Sequence, residues 1–316
     1  PTPTDAPGRR PMPIPAPGAH GGDGARVAAA LGLDPGVLLD LSASLNPVAP
    51  DPRAVVARHL DALGRYPDAG PATAALAAAL AVDTDRVVLT NGGAEAIALV
   101  AAELGAGWVD EPDFSLYRRH LPDVRPSAPR WRSDPHNPSG QLAPPDEVAA
   151  VWDEAFYPLA TGRWTSGRAD TGAVVLGSLT KLFACPGLRL GFVLAPDAAL
   201  ARRIAARQPR WSVNGLAVTS LPELLALADL PRWAEEIRRL RTALELVLRS
   251  HGFRPQPSAA NYVLVPGAAG LRDRLAAGGV VVRDCASFGL PDHVRIAVPS
   301  DAGRDRLAAA LDGAQA

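Results

Sequence analysis

The chain has 316 residues, a formal net charge of -1 at pH 7, 47% hydrophobic residues and 21% charged residues. That balance argues against nucleic acid or an anionic membrane as a main partner, and its apolar runs fall short of the roughly 18 residues of a membrane span. Two cysteines and six scattered histidines provide neither a disulfide framework nor metal-ligand spacing, so no metal site is expected and a reducing cytoplasm is the expected compartment.

Residues 1–19 are dominated by proline and small residues without a hydrophobic period, which predicts a disordered leader or linker. They lack the apolar stretch of a signal peptide. A chain opening on Pro1 is expected to be a processed product or an excised domain. From residue 24 onward, helical and strand patterns alternate, which predicts an α/β fold with a mainly parallel sheet. Residues 25–31 and 52–63 read as helices, and 71–81 as an Ala-rich helix. A strand at 85–89 runs into the turn Thr90-Asn91-Gly92-Gly93 and a helix over 94–104. Further strands are expected at 107–110, at 148–152 ending on Asp153, at 173–176 and at 190–194, with a helix over 197–206. After residue 220 the pattern predicts helices at 221–228, 233–250, 271–276 and 303–311. Strands at 262–265, 280–282 and 294–298 are interleaved with them. The expected organisation is a large domain over 49–220 and a smaller α/β domain over 221–316. Residues 20–48 are expected to pack with the smaller one.

The composition holds one further signal. The chain uses arginine for nearly every cation: one lysine, Lys181, stands against 31 arginines. Arginine replaces lysine as a charge but cannot give up its proton to become a nucleophilic amine. Lys181 is therefore a candidate for amine chemistry, with a Schiff base as the leading form; a chance survivor of compositional drift is the plain alternative. Its neighbours bear on the choice. Ser178 and Thr180 precede it after an expected buried strand, and Arg189 follows eight residues on. An amine flanked by hydroxyls and a guanidinium suits an aldehyde cofactor that carries a phosphate. The Gly92-Gly93 turn, with the Gly93 and Ala94 amides at a helix start, is a second candidate anion grip. Asp153 at a strand end could hold a protonated ring nitrogen, Asn137 could donate to a phenolate oxygen, and Phe114 could stack on an aromatic ring. Taken singly, these are also an N-cap acid, a turn residue and a core aromatic.

Taken together, and in this order over residues 90–191, they resemble the fold-type-I pyridoxal-phosphate enzymes of the aminotransferase class I/II superfamily. The segments are the phosphate turn, the aromatic in Pro112-Asp113-Phe114, Asn137-Pro138-Ser139-Gly140, Asp153-Glu154-Ala155, Ser178-Leu179-Thr180-Lys181 and Pro186-Gly187-Leu188-Arg189-Leu190-Gly191. Within the superfamily the chain resembles the histidinol-phosphate aminotransferase branch. Inside that branch it is similar to the threonine-phosphate decarboxylases of cobalamin biosynthesis, including compact actinobacterial relatives. The narrower likeness rests on His20-Gly21-Gly22-Asp23, Ser42-Ala43-Ser44-Leu45-Asn46-Pro47, Trp211-Ser212-Val213-Asn214, Arg283-Asp284-Cys285 and Arg295-Ile296-Ala297, and on Phe156 where many aminotransferases of the branch have tyrosine.

The resemblance implies pyridoxal 5'-phosphate bound covalently at Lys181, with Asp153 on the ring nitrogen, Asn137 at the ring oxygen and Phe114 stacking. It gives Gly93, Ala94, Ser178, Thr180 and Arg189 to the cofactor phosphate, together with Tyr66 reaching across from a second subunit, which implies a homodimer. It assigns Arg295 to the substrate carboxylate, makes His20 and Arg283 candidates for a substrate phosphate, and places Asn46, Asn137 and Asn214 at the substrate pocket. The implied reaction is decarboxylation of L-threonine O-3-phosphate. Transamination of histidinol phosphate or another polar amino donor, and a binding-only relative, stand as alternatives. The intervals 117–134 and 137–153 are shorter than the family pattern, so the sheet is expected to lack a unit at one side.

Overall fold

Runs of branched aliphatic residues form the centre of the molecule, which a computed structural model describes over residues 13–315. Among those residues the strands in chain order are β1 (Leu39–Asp40), β2 (Val87–Thr90), β3 (Trp108–Val109), β4 (Arg130–Ser133), β5 (Val151–Asp153), β6 (Val174–Gly177), β7 (Gly191–Leu194), β8 (Tyr262–Val265), β9 (Val280–Val281), β10 (Arg283–Asp284) and β11 (Val294–Ala297). Six of them build one sheet in the order β2-β7-β6-β5-β4-β3. β3 to β6 pair in parallel, and β7 runs antiparallel to β2 and β6. The fold is α/β with a mixed, mainly parallel sheet.

β2, β6 and β7 are buried along their whole length, as strands covered on both faces must be. Alternate residues feed two cores. Val175 and Phe192 point to one side, where they meet Leu76 of the helix Gly70–Leu80 and Leu221 of the helix Gly215–Ala226. Val174 and Val193 point to the other, against Ile97 and Val100 of the helix Gly93–Leu104 and Ile204 of the helix Ala198–Ala205. Fully burying one such aliphatic side chain contributes about 1.5–3 kcal/mol, so these two layers hold the sheet edge in a fixed shape.

A third core lies between the antiparallel sheet β10-β11-β8 and the C-terminal helices. The helix Leu230–Ser250 joins it to the first core. Its buried face sends Trp233 and Ile237 to one and Leu240, Leu244 and Leu248 to the other, at the three-to-four residue spacing of an amphipathic helix. β1 pairs in parallel with β9, through Leu39 opposite Val280 and Asp40 opposite Val281, and so ties the N-terminal segment to this layer.

Several expectations change. Part of the segment expected to be a disordered leader is built into the body: Ile14 packs against the small core of Val27, Ala28, Leu38, Ala276 and Val281, and the Gly18 and Ala19 carbonyls accept hydrogen bonds from Arg283. Residues 1–12 lie outside the described residues. The helix expected over 52–63 is α-helical only across Pro52–Val56, and Ala57–Gly64 continues as a 3-10 helix. The helix expected from 221 starts earlier, at Gly215, where the Asn214 side chain caps it.

Among the described residues the large sheet has six strands, and Gly107, next to its edge strand β3, makes one isolated parallel bridge with Val124. β4, unforeseen, occupies the first short interval, and the short helix Leu116–His120 precedes it. What is missing is a helix: residues 134–150, between β4 and β5, contain neither helix nor strand. β4 explains how the fold tolerates this. Arg130 and Arg132 alternate with the buried Trp131 and Ser133, and both guanidiniums bind one carboxylate of that connection, Glu147 Oε1, at 2.7 and 2.9 Å. The uncovered face is polar and ion-paired, so it does not require an apolar helix.

Candidate active site

β2, β4, β5 and β6 all end at the same edge of the large sheet, and the strand order puts β7's first residue, Gly191, beside them opposite Thr90. Carboxyl ends of strands in α/β sheets are where such folds hold ligands. Two glycines keep this edge tight. A Cβ at Gly177 would stand 2.1 Å from the Phe192 ring, and one at Gly191 would stand 2.5 Å from the Gly92 carbonyl carbon. Over the edge lies a cavity of about 290 Å³. It is lined by Lys181, Asp153, Asn137, Phe114, Gly93, Ala94, Ser178, Thr180, Arg189, His20, Arg283 and Arg295, so nearly every residue singled out from the sequence meets there.

Lys181 sits on the short helix Leu179–Leu182 that follows β6. Its Nζ donates to the Ala43 carbonyl at 2.8 Å. Loss of hydration, then the positive fields of Arg295 and Arg189, push its pKa down to about 8. The unprotonated, nucleophilic form is therefore far more accessible near neutral pH than for an ordinary lysine, and becomes the major form above about pH 8.

At one end of the cavity, the chain leaves β2 through Gly92, at φ 80°, into the helix Gly93–Leu104. Arg189, itself at φ 57°, lays its guanidinium over that turn: a Cβ at Gly92 would be 2.6 Å from Nη2. Among the described residues Arg189 has no carboxylate partner, and its hydrogen bond is a long one to the Pro186 carbonyl. The Ser178 hydroxyl also has no protein partner there. Thr180 differs from expectation. Its hydroxyl donates to the Leu190 carbonyl at 3.0 Å and accepts from the Leu190 N–H at 3.1 Å. Its proton is committed to joining Leu190 to the lysine's helix, so it has none to donate to a phosphate.

Asp153, at the end of β5, lies on the floor. Oδ1 accepts from the Ala155 N–H at 3.0 Å and Oδ2 from the Tyr117 hydroxyl at 2.8 Å. Desolvation raises its pKa, and these two donors oppose the rise. Among the described residues Asp153 has no cationic partner; Arg168 lies over the Trp152 ring and pairs with Asp134 at 2.6 Å. Asn137 takes Arg295 Nη1 on its Oδ1 at 2.5 Å, which leaves its amide nitrogen free to donate. Its own N–H is fixed by the Ser133 hydroxyl, which donates in turn to the buried Asp113. Phe114 stands between His20 and Tyr117, edge-on to each.

At the opposite end are two buried guanidiniums. Arg295 lies 4.6 Å above the Tyr262 ring, and its Nε is buried without a partner. Arg283 spends its hydrogen bonds on the Gly18 and Ala19 carbonyls and on Ser287. Neither has a carboxylate partner among the described residues. Burial lowers the pKa of His20, and Arg283 and Arg119 lower it further, so the ring is neutral near pH 7.

Three expected residues lie outside the cavity. Asn46 is buried and donates to the Leu182 carbonyl at 2.9 Å, while its backbone N–H bonds the Lys181 carbonyl. It clamps the lysine's helix from behind instead of lining the pocket. Asn214 is exposed, caps its helix and donates to the Leu188 carbonyl. Tyr66 is 77% exposed and stacks on Trp211 with ring centroids 4.5 Å apart. The reading from sequence missed Tyr117, Asp113 and Ser133. Tyr117, a second aromatic three residues after Phe114, was the one with a visible signal.

These groups form a set suited to a phosphorylated aromatic aldehyde. There is an amine with a lowered pKa, an anion cradle with an uncompensated guanidinium, a carboxylate with no cation and an aromatic face.

The comparisons agree with that set. Residues 133–311 match the family described as aminotransferase class I and II. The chain is 30% identical to a histidinol-phosphate aminotransferase of Halorubrum lacusprofundi over 90% of its length and 91% of the relative's. It is 31% identical to a threonine-phosphate decarboxylase of Salmonella typhimurium, over 93% and 95%. A crystal structure of histidinol-phosphate aminotransferase from Sinorhizobium meliloti in complex with pyridoxal-5'-phosphate superposes with a TM-score of 0.81 at 18% identity, covering 92% and 94% of the two chains.

Proposed function

The chain belongs to the aminotransferase class I and II family and is an enzyme that uses pyridoxal 5'-phosphate, and from that premise we propose that it decarboxylates L-threonine O-3-phosphate to (R)-1-aminopropan-2-yl phosphate, a step of cobalamin biosynthesis. The observation that carries this reading is the pair Arg283 and Arg295, two buried guanidiniums without carboxylate partners at the end of the cavity away from Arg189. A guanidinium buried without a counter-charge is costly, and a ligand with two acidic groups removes that cost at both positions. Threonine phosphate has a carboxylate and a phosphate; histidinol phosphate has only the phosphate.

In this reading Lys181 binds the cofactor aldehyde. Asp153 holds the ring nitrogen protonated, Asn137 donates to the ring oxygen and Phe114 covers the ring. The Gly93 and Ala94 amides, Ser178 and Arg189 hold the cofactor phosphate. When bound, the cofactor supplies an electron-accepting ring for the bond broken at the substrate carbon. Arg295 takes the substrate carboxylate, and Arg283 with neutral His20 takes the substrate phosphate. Lys181 Nζ, the one aliphatic amine in the cavity, moves the proton to or from the substrate carbon. Tyr66 reaches the corresponding site of a second copy in a homodimer. Cys185 and Cys285, both buried and unpaired, suit the reducing cytoplasm, where we place the enzyme.

A second reading has support of its own. Transamination of histidinol phosphate uses an acidic acceptor, and the same two arginines would hold the two carboxylates of 2-oxoglutarate. The test is to incubate the holoenzyme with threonine phosphate, and separately with histidinol phosphate and 2-oxoglutarate. Carbon dioxide release from the first without oxo-acid formation is the expected result. Glutamate formation in the second, with no carbon dioxide in the first, would overturn it.

A further inference from the structure

Asp153 is held by more than its strand. Its Oδ2 receives the hydroxyl of Tyr117, which belongs to a different element, the short helix Leu116–His120. Tyr117 is fully buried. Its ring is wedged edge-on to Phe114 at 5.8 Å and beside Trp131 at 5.7 Å, which fixes its direction. Asp153 is the hydroxyl's hydrogen-bond partner among the described residues. The pairing is selective on both sides. Among the described residues no cation pairs with Asp153. A neutral donor in its place steadies a carboxylate without cancelling its charge, which leaves that charge for a cation in the cavity.

Desolvation acts most strongly on Tyr117, and the charges of Asp153 and then Asp113 add to it. All three raise the phenol's pKa well above its ordinary value, so it stays a donor. The same ring touches Phe114, so one side chain sets both the floor acid and the stacking face.

We propose that Tyr117 is a positioning residue: its hydroxyl keeps the Asp153 carboxylate ionised and aimed at the ring nitrogen of pyridoxal 5'-phosphate. The inference rests on the role given to Asp153 above. Its test uses cofactor binding, measured by absorbance and fluorescence titration of the apoprotein with pyridoxal 5'-phosphate. A second readout is the NMR shift of a ¹⁵N label in the cofactor ring. Tyr117→Phe keeps the buried ring and removes the hydrogen bond. The expected result is about tenfold weaker cofactor binding, the range for a hydrogen bond to a charged group. The ¹⁵N shift is expected to move toward the unprotonated nitrogen.

In an Asp153→Asn background the same substitution should leave affinity unchanged within about twofold. A ¹⁵N shift unchanged by Tyr117→Phe would overturn the proposal, as would an equal loss of affinity with and without Asp153, since both describe simple packing. If Asp153→Asn alone leaves affinity and shift intact, the role of Asp153 itself falls. Should Tyr117→Phe lower apoprotein recovery, the ¹⁵N shift of the folded fraction still decides.

Discussion

Arginine and lysine divide the labour of this chain cleanly, and the division can be tested at Lys181. Its pKa of about 8 lies below the ordinary 10.5, so the folded chain holds the amine neutral where the unfolded chain holds it charged. The sign follows: this group costs stability below about pH 8, and the cost disappears as pH rises from about 8 toward 10.5. The same titration governs capture of the cofactor. Stopped-flow absorbance on the apoprotein should show a rate that rises with pH and levels off with a midpoint near pH 8. Lys181→Arg keeps the charge and removes the nucleophile. After borohydride treatment, mass spectrometry should find cofactor mass on the wild-type chain and none on the variant. The residues legible from sequence were those whose chemical type is unusual for their place: a lone lysine, an arginine after Pro-Gly, an acid ending an apolar strand. Thr180, Asn46 and Asn214 turn their side chains to backbone partners in the structure, which the sequence did not show. Hydroxyls and amides bond backbone as readily as ligand, and only the fold shows which partner is near.

Among elements, the site depends on how closely β7 approaches the turn after β2. A Cβ at Gly191 would come within 2.5 to 2.9 Å of Gly92, Gly93 and Gly177 backbone atoms. None of these is a flexible side-chain end, so the strand or the turn must shift. Gly191→Ala should cost about 1–3 kcal/mol of stability in chemical denaturation. It should also weaken cofactor binding by displacing the Gly93 and Ala94 amides. The strands β2, β6 and β7 could be read in the sequence as uninterrupted runs of Val, Leu and Phe. β4 could not, because Arg130-Trp131-Arg132-Ser133 does not look like an interior strand until Glu147 is seen pairing both arginines. The missing helix after β4 has the same origin, since ion pairing across a chain segment leaves no hydrophobic period to find.

For the molecule as a whole, the exposed apolar residues are unevenly placed. Leu60, Leu63 and Tyr66 are 54%, 71% and 77% exposed along one stretch, and Trp211, stacked on Tyr66, is 57% exposed. That face is the proposed contact with a second copy, and in that proposal Tyr66 completes the partner's phosphate grip. Sedimentation should give a dimer for the wild type. Leu63→Asp, at an exposed position outside every described core, should give a folded monomer with cofactor affinity reduced at least severalfold. A monomeric wild type with full affinity would remove the second copy from the site.

Lys181, finally, is the one ε-amino group in these 316 residues, and it faces into the cavity. Acyl transfer, ubiquitin conjugation and sugar adduction all seek such amines on protein surfaces. This stretch of chain offers them a single ε-amino target, and in the proposed role of Lys181 the bound cofactor occupies it. On that proposal, occupancy of the site is itself the shield on its one ε-amino group.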